Sequence, residues 1–410
     1  MTDSRLNPTH KAGALNGVRV LDMSTVLMGP CATQILADLG ADVIKIEALE
    51  GDISRQSYPA RSAKMGHTFL NNNRNKRSVA LNLKHAEGRA ALLALCRRTD
   101  VFVYNFRPQA MARLKLRYED LKAVNPQIIY VGAVGFGERG RYRGMPAYDD
   151  LIQGMVGMPW LAGQASGQEP RYAPTAYADR TCALHLSISL LAALYHRQCT
   201  GQGQRVDVPM FEHMVHTLLG EHMEGETFVP AYGPIGHRRT LSPERRPYRT
   251  KDGYLCTMIY NDKQWRSFFE MIGEPERLAT DARFATQTNR FKNIDVVYGF
   301  LSEVLLTRTT AEWLELFRRH DLPVGPMNSL EDVLHDAHLA DVGYFKEFEH
   351  PTEGTLRTVF YPAELSETPV GSRYPAPRLG EHTVELLTEA GYARADIDAL
   401  IVKGVAAAAT

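Results

Sequence analysis

Residues 17–47 read GVRVLDMSTVLMGPCATQILADLGADVIKIE, and this stretch decides the fold. Val18–Met23 is a short β-branched run typical of a strand. An apolar-periodic helix follows over Cys31–Leu39, and Gly40 stands where helices usually end. Asp42–Glu47 is the next strand. A strand, a helix and a second strand in this order predict a parallel sheet with a right-handed crossover.

The same alternation continues beyond this unit. The predicted strands are 78–83, 101–104 and 127–131, and the predicted helices are 86–98 and 108–114. Residues 16–131 are therefore predicted to form a large, doubly wound, Rossmann-like α/β domain. A further helix over Thr181–Arg197 is apolar nearly all round, which predicts that it is buried.

The composition of the sequence changes near Thr227: Pro and Gly cluster first, and basic residues then outnumber acidic ones. The following stretch has a strand and amphipathic helices over Trp265–Ile272 and Thr310–His320, so a second, smaller α/β domain is predicted. Beyond it, Tyr344–Leu379 is poor in helical pattern. An ordinary compact monomer rarely contains a structureless connection of that length.

Composition excludes several classes of protein. The 410 residues contain 47 Lys+Arg and 47 Asp+Glu, so no basic field favours nucleic acid. We expect no signal peptide, because the first 16 residues lack an apolar stretch, and the longest apolar run is too short to span a bilayer. Five scattered cysteines without a C-x-x-C pair predict neither disulfides nor zinc and favour the cytoplasm: Cys31, Cys96, Cys182, Cys199 and Cys256.

Two sequence motifs that would indicate a cofactor or a metal are matched only in part. The run Gly135-Phe-Gly-Glu-Arg-Gly140 resembles a dinucleotide fingerprint, but the residues after it do not open a helix. An NAD-dependent oxidoreductase is therefore disfavoured. His213, His216 and His222 do not follow a zinc-protease order, and no metal site is predicted from them.

Asp179 lies immediately before the long apolar helix and permits two interpretations. It could be an N-cap that accepts hydrogen bonds from the first backbone N–H groups. A carboxylate at the positive end of a buried helix is also held ionised and oriented, which suits a nucleophile. The local pattern does not choose between these two roles.

A series of segments, taken together, resembles the family III CoA-transferases of the formyl-CoA transferase, or CaiB/BaiF, type. The resemblance covers essentially the whole chain from Gly17, and its order makes it specific although each piece is short. The matching segments are Gly17–Asp22, Gly29-Pro30, Leu36–Glu47, Asn75–Ser78, Leu81–Lys84, Tyr104–Pro108, Gly135–Gly137, Tyr148-Asp149, Asp179, Gly201–Gln204, Val324–Pro326 and Leu379–His382.

The resemblance implies an interlaced homodimer in which two subunits thread through one another. It also implies a large CoA-binding domain built from both chain ends and a small domain from the middle. The expected segments are 17–226 for the first part of the large domain, 227–326 for the small domain and 327–410 for the return that completes the large one.

The chemistry implied by the resemblance is covalent, with Asp179 as the nucleophile that forms a mixed anhydride and then an aspartyl-CoA thioester. Asp149 is a candidate orienting carboxylate. Acyl-CoA, for example succinyl-CoA, is a substrate, and no tightly bound cofactor or metal is expected. The expected CoA-binding residues are Val26, Leu27, Met28, Leu81, Lys84, Asn105, Phe106 and Arg113.

Departures from the formyl-CoA transferase pattern concern the substrate acid. Ala48 and Pro146 replace basic CoA contacts, and Leu27 replaces a glutamine beside the small acyl group. The glycine-rich loop is replaced by the basic stretch 237–249. We hypothesise that His237, Arg245 and Arg246 bind the distal carboxylate of a short dicarboxylic acid. A solvated loop or a contact with CoA phosphate is the alternative.

The same fold hosts 2-methylacyl-CoA racemases, which need a histidine base opposite the aspartate. Tyr148 occupies the matching position. An unperturbed tyrosine titrates near pH 10, so it is a poor base at neutral pH. The sequence therefore favours a transferase over a racemase or epimerase.

Overall fold

The computed structural model of the protein describes residues 13–409. Its strands are β1 (Arg19–Asp22), β2 (Asp42–Glu47), β3 (Lys76–Leu81), β4 (Val101–Tyr104), β5 (Ile129–Val134), β6 (Arg205–Pro209), β7 (Tyr248–Arg249), β8 (Tyr254–Thr257), β9 (Val324–Pro326), β10 (Phe345–His350), β11 (Gly354–Val359) and β12 (Ala406–Ala407). Its helices are α1 (Met28–Asp38), α2 (His67–Asn72), α3 (Ala86–Cys96), α4 (Pro108–Leu114), α5 (Tyr118–Lys122), α6 (Asp149–Met155), α7 (Met158–Ser166), α8 (Tyr177–Thr200), α9 (Met210–His222), α10 (Arg238–Leu241), α11 (Asp262–Met271), α12 (Arg277–Thr280), α13 (Gln287–Lys292), α14 (Ile294–Leu305), α15 (Thr310–Arg319), α16 (Leu330–Leu334), α17 (Ala337–Asp341), α18 (Thr383–Glu389) and α19 (Arg394–Val402).

Seven strands form one large sheet in the order β12-β3-β2-β1-β4-β5-β6. All neighbouring pairs from β3 to β6 are parallel, and β12 runs antiparallel to β3. Val20 of β1 lies opposite Val43 on one side and Val101 on the other. The predicted α/β class with a large, mainly parallel sheet is confirmed.

The central strands are nearly continuous apolar runs. β4 (VFVY) and β5 (IYVGAV) are buried at every position, as expected for parallel strands covered on both faces. Gly40 follows α1 with a φ of 110°, which a residue with a side chain rarely adopts. The predicted start of the fold, β1 followed by α1 and β2, is therefore present.

The core beside this sheet combines both ends of the chain. Leu21 and Ile44 from the first strands lie in one cluster with Leu386 of α18 and Leu400 of α19. The same ends are also joined by charge, since the Arg77 guanidinium bonds the carboxylates of Glu385 and Glu389 at 2.9 and 2.7 Å.

The described chain divides into two compact units. The first contains the residues up to Val156, Pro174–His216 and the residues from Ala340, and the second contains Gly157–Ala173 and Thr217–Leu339. The expected domain segments given above remain a prediction.

The second unit holds a small antiparallel sheet, β7-β8-β9, with an aromatic core. Trp265 and Phe268 on α11 pack with Phe284 and with Trp313 of α15. Both helices begin with a capping box, Asn261 with Gln264 and Thr309 with Glu312. The predicted amphipathic helices correspond to α11 and α15.

Two expectations about irregular or buried segments need correction. α8 begins at Tyr177, and it is not buried all round: Leu184, Ile188 and Tyr195 are 50%, 64% and 73% exposed. A run that is apolar on every face does not reveal which face the rest of the chain covers. The segment 344–379 is not structureless, because β10 and β11 pair in it as an antiparallel hairpin.

Within residues 13–409, no helix combines the length and hydrophobicity needed to cross a bilayer.

Candidate functional site

The order of the sheet creates a crevice between β1 and β4. The chain moves outward from β1 to β2 and β3 on one side, and from β4 to β5 and β6 on the other. The loops after β1 and β4 therefore diverge at the carboxyl edge, where open α/β sheets bind their ligands. Asn105, just after β4, joins the two loops: its side-chain amide donates to the Thr25 carbonyl at 2.7 Å, and its oxygen accepts the Thr25 N–H at 3.0 Å.

A cleft of about 330 Å³ opens at this edge. Its walls come from the ends of four neighbouring strands, β1, β2, β3 and β4, and from the residues that follow them. Leu81, Lys84 and Phe106, expected to bind CoA, all line this cleft. The cleft is mostly apolar with few charged groups, which is typical of a site for a small molecule or cofactor.

The other expected CoA contacts border the cleft without lining it. Asn105 positions Thr25, which is a wall residue, and Arg113 precedes the wall residue Leu114. In the turn after β1, the Val26 side chain is exposed whereas that of Met28 is buried. The side chain of Met28 is therefore not presented to a ligand at the surface.

Asp179 lies in the first turn of α8, at its third residue, rather than at the N-cap. The N-cap is Ala176, which has no side chain able to accept a hydrogen bond. Of the two interpretations that the sequence left open, the N-cap role does not apply to Asp179, because the helix begins earlier than its apolar run. Within residues 13–409, the Asp179 carboxylate accepts no hydrogen bond, so it is available to another molecule.

Asp149 supplies the missing cap from outside the helix. Its Oδ1 accepts the backbone N–H of Asp179 at 2.9 Å, one of the N–H groups that the start of a helix leaves unpaired. Its Oδ2 accepts the Gln153 Nε2 donor at 2.5 Å. A carboxylate in this position also benefits from the positive end of the α8 dipole.

Gln153 is a site residue that sequence reasoning missed. It is fully buried on α6 and donates to the Thr175 carbonyl at 3.3 Å as well as to Asp149. It therefore ties Asp149 to the segment that enters α8. Its spacing of four residues from Asp149 on a helix was the available signal.

The pKa of Asp179 is raised from its ordinary value to about 6. Burial is the main cause, because it disfavours the charged form, and the nearby carboxylate of Asp149 adds to it. Arg180 opposes both effects by stabilising the ionised carboxylate. Perturbed carboxyl groups of this kind cluster at functional sites.

Cys182 lies one turn further along α8. Burial and the charges of Asp179 and Asp149 raise the pKa of its thiol to about 12. The thiol is thus protonated at neutral pH and is a poor nucleophile. The carboxylate of Asp179 has no competing nucleophile at this neighbouring position.

The three candidates for binding the substrate carboxylate lie in the second unit. The ring of His237 bonds Glu224 at 2.5 Å, and the Arg246 guanidinium bonds Glu244 at 3.1 Å. The exposed Arg245 has no salt bridge to any residue in the described part of the chain. Tyr148, the residue at the racemase position, is the N-cap of α6 and 76% exposed.

Two of the three histidines singled out by sequence, His213 and His216, pack beside His185. The ring of His185 lies 5.1 Å from that of His213 and 6.1 Å from that of His216, centroid to centroid. Among residues 13–409, no three His, Cys, Asp or Glu side chains are placed to hold a metal ion. His222 instead accepts the backbone N–H of His237 at 3.1 Å.

A mainly parallel sheet with a cleft at its switch point defines a protein of the nucleotide- and cofactor-binding α/β class. A family model described as CoA-transferase family III matches residues 15–383, and the chain belongs to that family.

Relatives agree with this assignment. A succinate–glutarate CoA-transferase of Agrobacterium fabrum is 32% identical over 385 residues, covering 92% of this chain and 95% of the relative. A formyl-CoA:oxalate CoA-transferase of Streptomyces coelicolor is 34% identical over 395 residues, covering 92% and 94%. The crystal structure of a CaiB/BaiF family protein from Brucella suis is 30% identical with a TM-score of 0.76, covering 93% and 100%. The expected family and enzyme class are confirmed.

Proposed function

We propose that this protein transfers CoA between an acyl-CoA and a carboxylic acid, with the carboxylate of Asp179 as the nucleophile. One observation carries the proposal: a partly buried carboxylate in the first turn of α8, without a hydrogen-bond partner in residues 13–409, beside the capping carboxylate of Asp149. With a pKa of about 6, Asp179 is mostly ionised at neutral pH and competent to attack a carbonyl.

The reaction proceeds through four acyl transfers. An oxygen of Asp179 attacks the thioester carbonyl, the C–S bond breaks, and a mixed anhydride and the CoA thiolate form. The thiolate attacks the aspartyl carbonyl, which releases the donor acid and leaves an aspartyl-CoA thioester. The acceptor carboxylate attacks this thioester and expels CoA thiolate again. The thiolate then attacks the acceptor carbonyl, which yields the new acyl-CoA and frees Asp179.

Asp149 and the cleft have separate roles in this scheme. Asp149 orients Asp179 by holding its backbone N–H, and its charge keeps the nucleophile basic. In the cleft, the exposed Lys84 pairs with a CoA phosphate and Phe106 stacks on the adenine ring. Ala48, also in the cleft wall, offers no charge there, so fewer cationic side chains hold CoA than in the formyl-CoA transferase pattern.

A trapping experiment tests the proposed reaction. The protein is incubated with succinyl-CoA, treated with hydroxylamine or borohydride, digested and examined by mass spectrometry. We expect an adduct on the peptide containing Asp179 and none in the Asp179→Ala variant. No adduct, together with exchange of the α-proton in deuterated water, would establish a racemase instead.

The proposed substrate acid is a short dicarboxylate. The names of the two relatives give succinate and glutarate for one and oxalate for the other. Arg245 is the candidate best able to bind a distal carboxylate, because His237 and Arg246 already bond acidic side chains.

Replacing Arg245 by alanine should raise the KM for succinate or glutarate about tenfold and leave that for acetate or propionate unchanged, since only a dicarboxylate loses a bidentate partner. The measurement is initial rate against acid concentration at saturating acyl-CoA. Arg246→Ala is the matched control, with an expected change below twofold. Equal effects of Arg245→Ala on mono- and dicarboxylates would contradict this role.

We further propose that the protein is an interlaced homodimer located in the cytoplasm. The exposed apolar residues along α8, Leu184, Ile188 and Tyr195, support a protein partner on that helix. The five cysteines are all free, which fits a reducing compartment. Sedimentation velocity at micromolar concentration should give twice the mass of one chain, and a single-chain mass would contradict the dimer.

A further inference from the structure

Val26 has a backbone conformation that its side chain disfavours. It lies in the turn between β1 and α1 with a φ of 70°, in the left-handed region. A β-branched residue is a true outlier there, and such strain persists only where the surroundings enforce it. The turn follows β1, where the order of strand addition reverses, and its residue Thr25 lines the cleft.

One buried ion pair holds this turn on both sides of Thr25. The two oxygens of Asp52 accept the backbone N–H of Val26 at 3.2 and 3.3 Å. Asp52 in turn pairs with the Lys45 ammonium at 2.9 Å, and both side chains are fully buried. The same ammonium donates to the Ser24 carbonyl at 2.9 Å.

Thr25, the residue between Ser24 and Val26, is held by a side chain that follows the neighbouring strand β4. Asn105 bonds both the N–H and the carbonyl of Thr25, as described above. Ser24, Thr25 and Val26 are thus each fixed by a side chain from another part of the sheet edge. Thr25 and Asp52 both line the cleft, so this grip acts on the wall of the proposed CoA site.

The surroundings of Asp52 favour the ionised form of its carboxyl group. Burial opposes ionisation of Asp52, but Lys45 and the hydrogen bonds of Ser54 outweigh it and hold the pKa of Asp52 below its usual value. Buried ion pairs contribute little net stability compared with apolar residues of the same volume. A role in fixing one backbone conformation explains such a pair better than stability does.

We propose that Lys45 and Asp52 are positioning residues for acyl-CoA: they hold Val26 in the left-handed conformation, so that the turn 24–28 keeps the shape against which CoA binds. This inference rests on the proposed function and extends it to two residues that do not touch the reacting atoms. The strain at Val26 is then the cost of a preformed binding wall.

The test compares CoA binding and CoA transfer in the wild-type protein and in variants of the ion pair. Lys45→Met/Asp52→Leu replaces the pair by apolar side chains and avoids an unpaired buried charge. We expect the Kd for CoA, from titration calorimetry, and the KM for acyl-CoA to rise about tenfold, because Val26 relaxes to a negative φ. The kcat at saturating acyl-CoA should change by less than threefold.

The decisive variant adds Val26→Gly to this double substitution. Glycine adopts a φ of 70° without strain, so we expect it to recover at least half of the lost affinity on a logarithmic scale. If Lys45 and Asp52 merely stabilised the fold, Val26→Gly would not restore the affinity for CoA. Should the double variant fail to fold, Asp52→Asn keeps an oxygen for the Val26 N–H and should weaken CoA binding less than Asp52→Ala.

The matched control is a different buried ion pair, in which Asp38 of α1 bonds Arg74. It lies at the far end of the helix, roughly 15 Å from the turn. Asp38→Leu/Arg74→Met should leave the Kd for CoA unchanged. Equal loss of affinity in this control, or no rescue by glycine, overturns the proposal. If the wild-type protein binds CoA but transfers none, the proposed function fails, while the Kd values still judge the role of Lys45 and Asp52.

Discussion

Replacing Asp179 by asparagine should lower the kcat for CoA transfer by roughly a thousandfold or more, because the amide is not a nucleophile for the thioester. The Kd for CoA should stay within about threefold of the wild-type value, since the cleft walls are unchanged. Stopped assays of acyl-CoA exchange with labelled acid measure the first quantity, and titration calorimetry measures the second.

The same variant should be more stable than the wild type above pH 6. The pKa of Asp179 is raised from 3.8 to about 6 in the folded protein. An ionised Asp179 therefore destabilises the fold above pH 6. This penalty falls as the pH drops from 6 and is nearly gone at pH 3.5, where the carboxyl is mostly protonated in both states. Asparagine removes a penalty on the order of 3 kcal/mol, so the Tm should rise by a few degrees at pH 7.5 and change little at pH 3.5.

Asp150→Asn is the control for both effects, because Asp150 is the exposed neighbour of Asp149 on α6. It should alter neither kcat nor the pH dependence of the Tm. Transfer by Asp179→Asn at more than one per cent of the wild-type rate would exclude Asp179 as the nucleophile. A Tm gain that is equal at pH 3.5 and 7.5 would show that the carboxylate carries no ionisation penalty.

Replacing Asp22 by alanine should cause the largest loss of stability, about 3–5 kcal/mol. The carboxylate of Asp22 is fully buried and bonds the Lys76 ammonium at 2.9 Å and the Thr33 hydroxyl at 2.6 Å. Burial already lowers the pKa of Lys76 to about 8 although Asp22 opposes this. Without Asp22, the ammonium remains buried with only neutral acceptors, Pro30 and Asn73.

The double variant Asp22→Leu/Lys76→Met distinguishes charge from packing. It removes both charges and keeps most of the volume, so it should recover at least half of the stability lost in Asp22→Ala. Urea unfolding followed by circular dichroism gives the midpoints. If the double variant is less stable than Asp22→Ala, the loss reflects packing and polar bonds around Ser24 and Thr33 rather than an unpaired charge.

The fold could be predicted from sequence where the signal is local. β2 begins and ends at the residues that the alternation of apolar runs predicted, and α1 ends before Gly40 as expected. Parallel strands are buried on both faces, so their sequences are apolar throughout and easy to recognise. The exposed face of α8 was missed because apolar periodicity alone does not distinguish a face that packs in the core from one left exposed.

The candidate site was less predictable because its contacts join distant residues. Asp179 entered through family resemblance, since its local pattern also allowed a helix cap. The side chain that caps the start of α8 belongs to Asp149, which lies 30 residues before Asp179 in the sequence. Asp52 accepts the backbone N–H of Val26, which lies 26 residues earlier in the sequence. A contact with a backbone group does not depend on the side chain at position 26, so the sequence pattern does not reveal it. Only the positions of strand ends, near Leu81 and Phe106, could be read from periodicity.

The joining of both chain ends in one sheet has a consequence for synthesis of the protein. Arg19 and Glu389 form a salt bridge across 370 residues. A ribosome adding about 5–20 residues per second needs roughly 20–70 s to cover that distance. Until β12 emerges, the outer edge of β3 has no neighbouring strand, and unpaired strand edges invite association with other chains. Synthesis of β12 therefore ends the period in which this edge of the large sheet can associate with other chains.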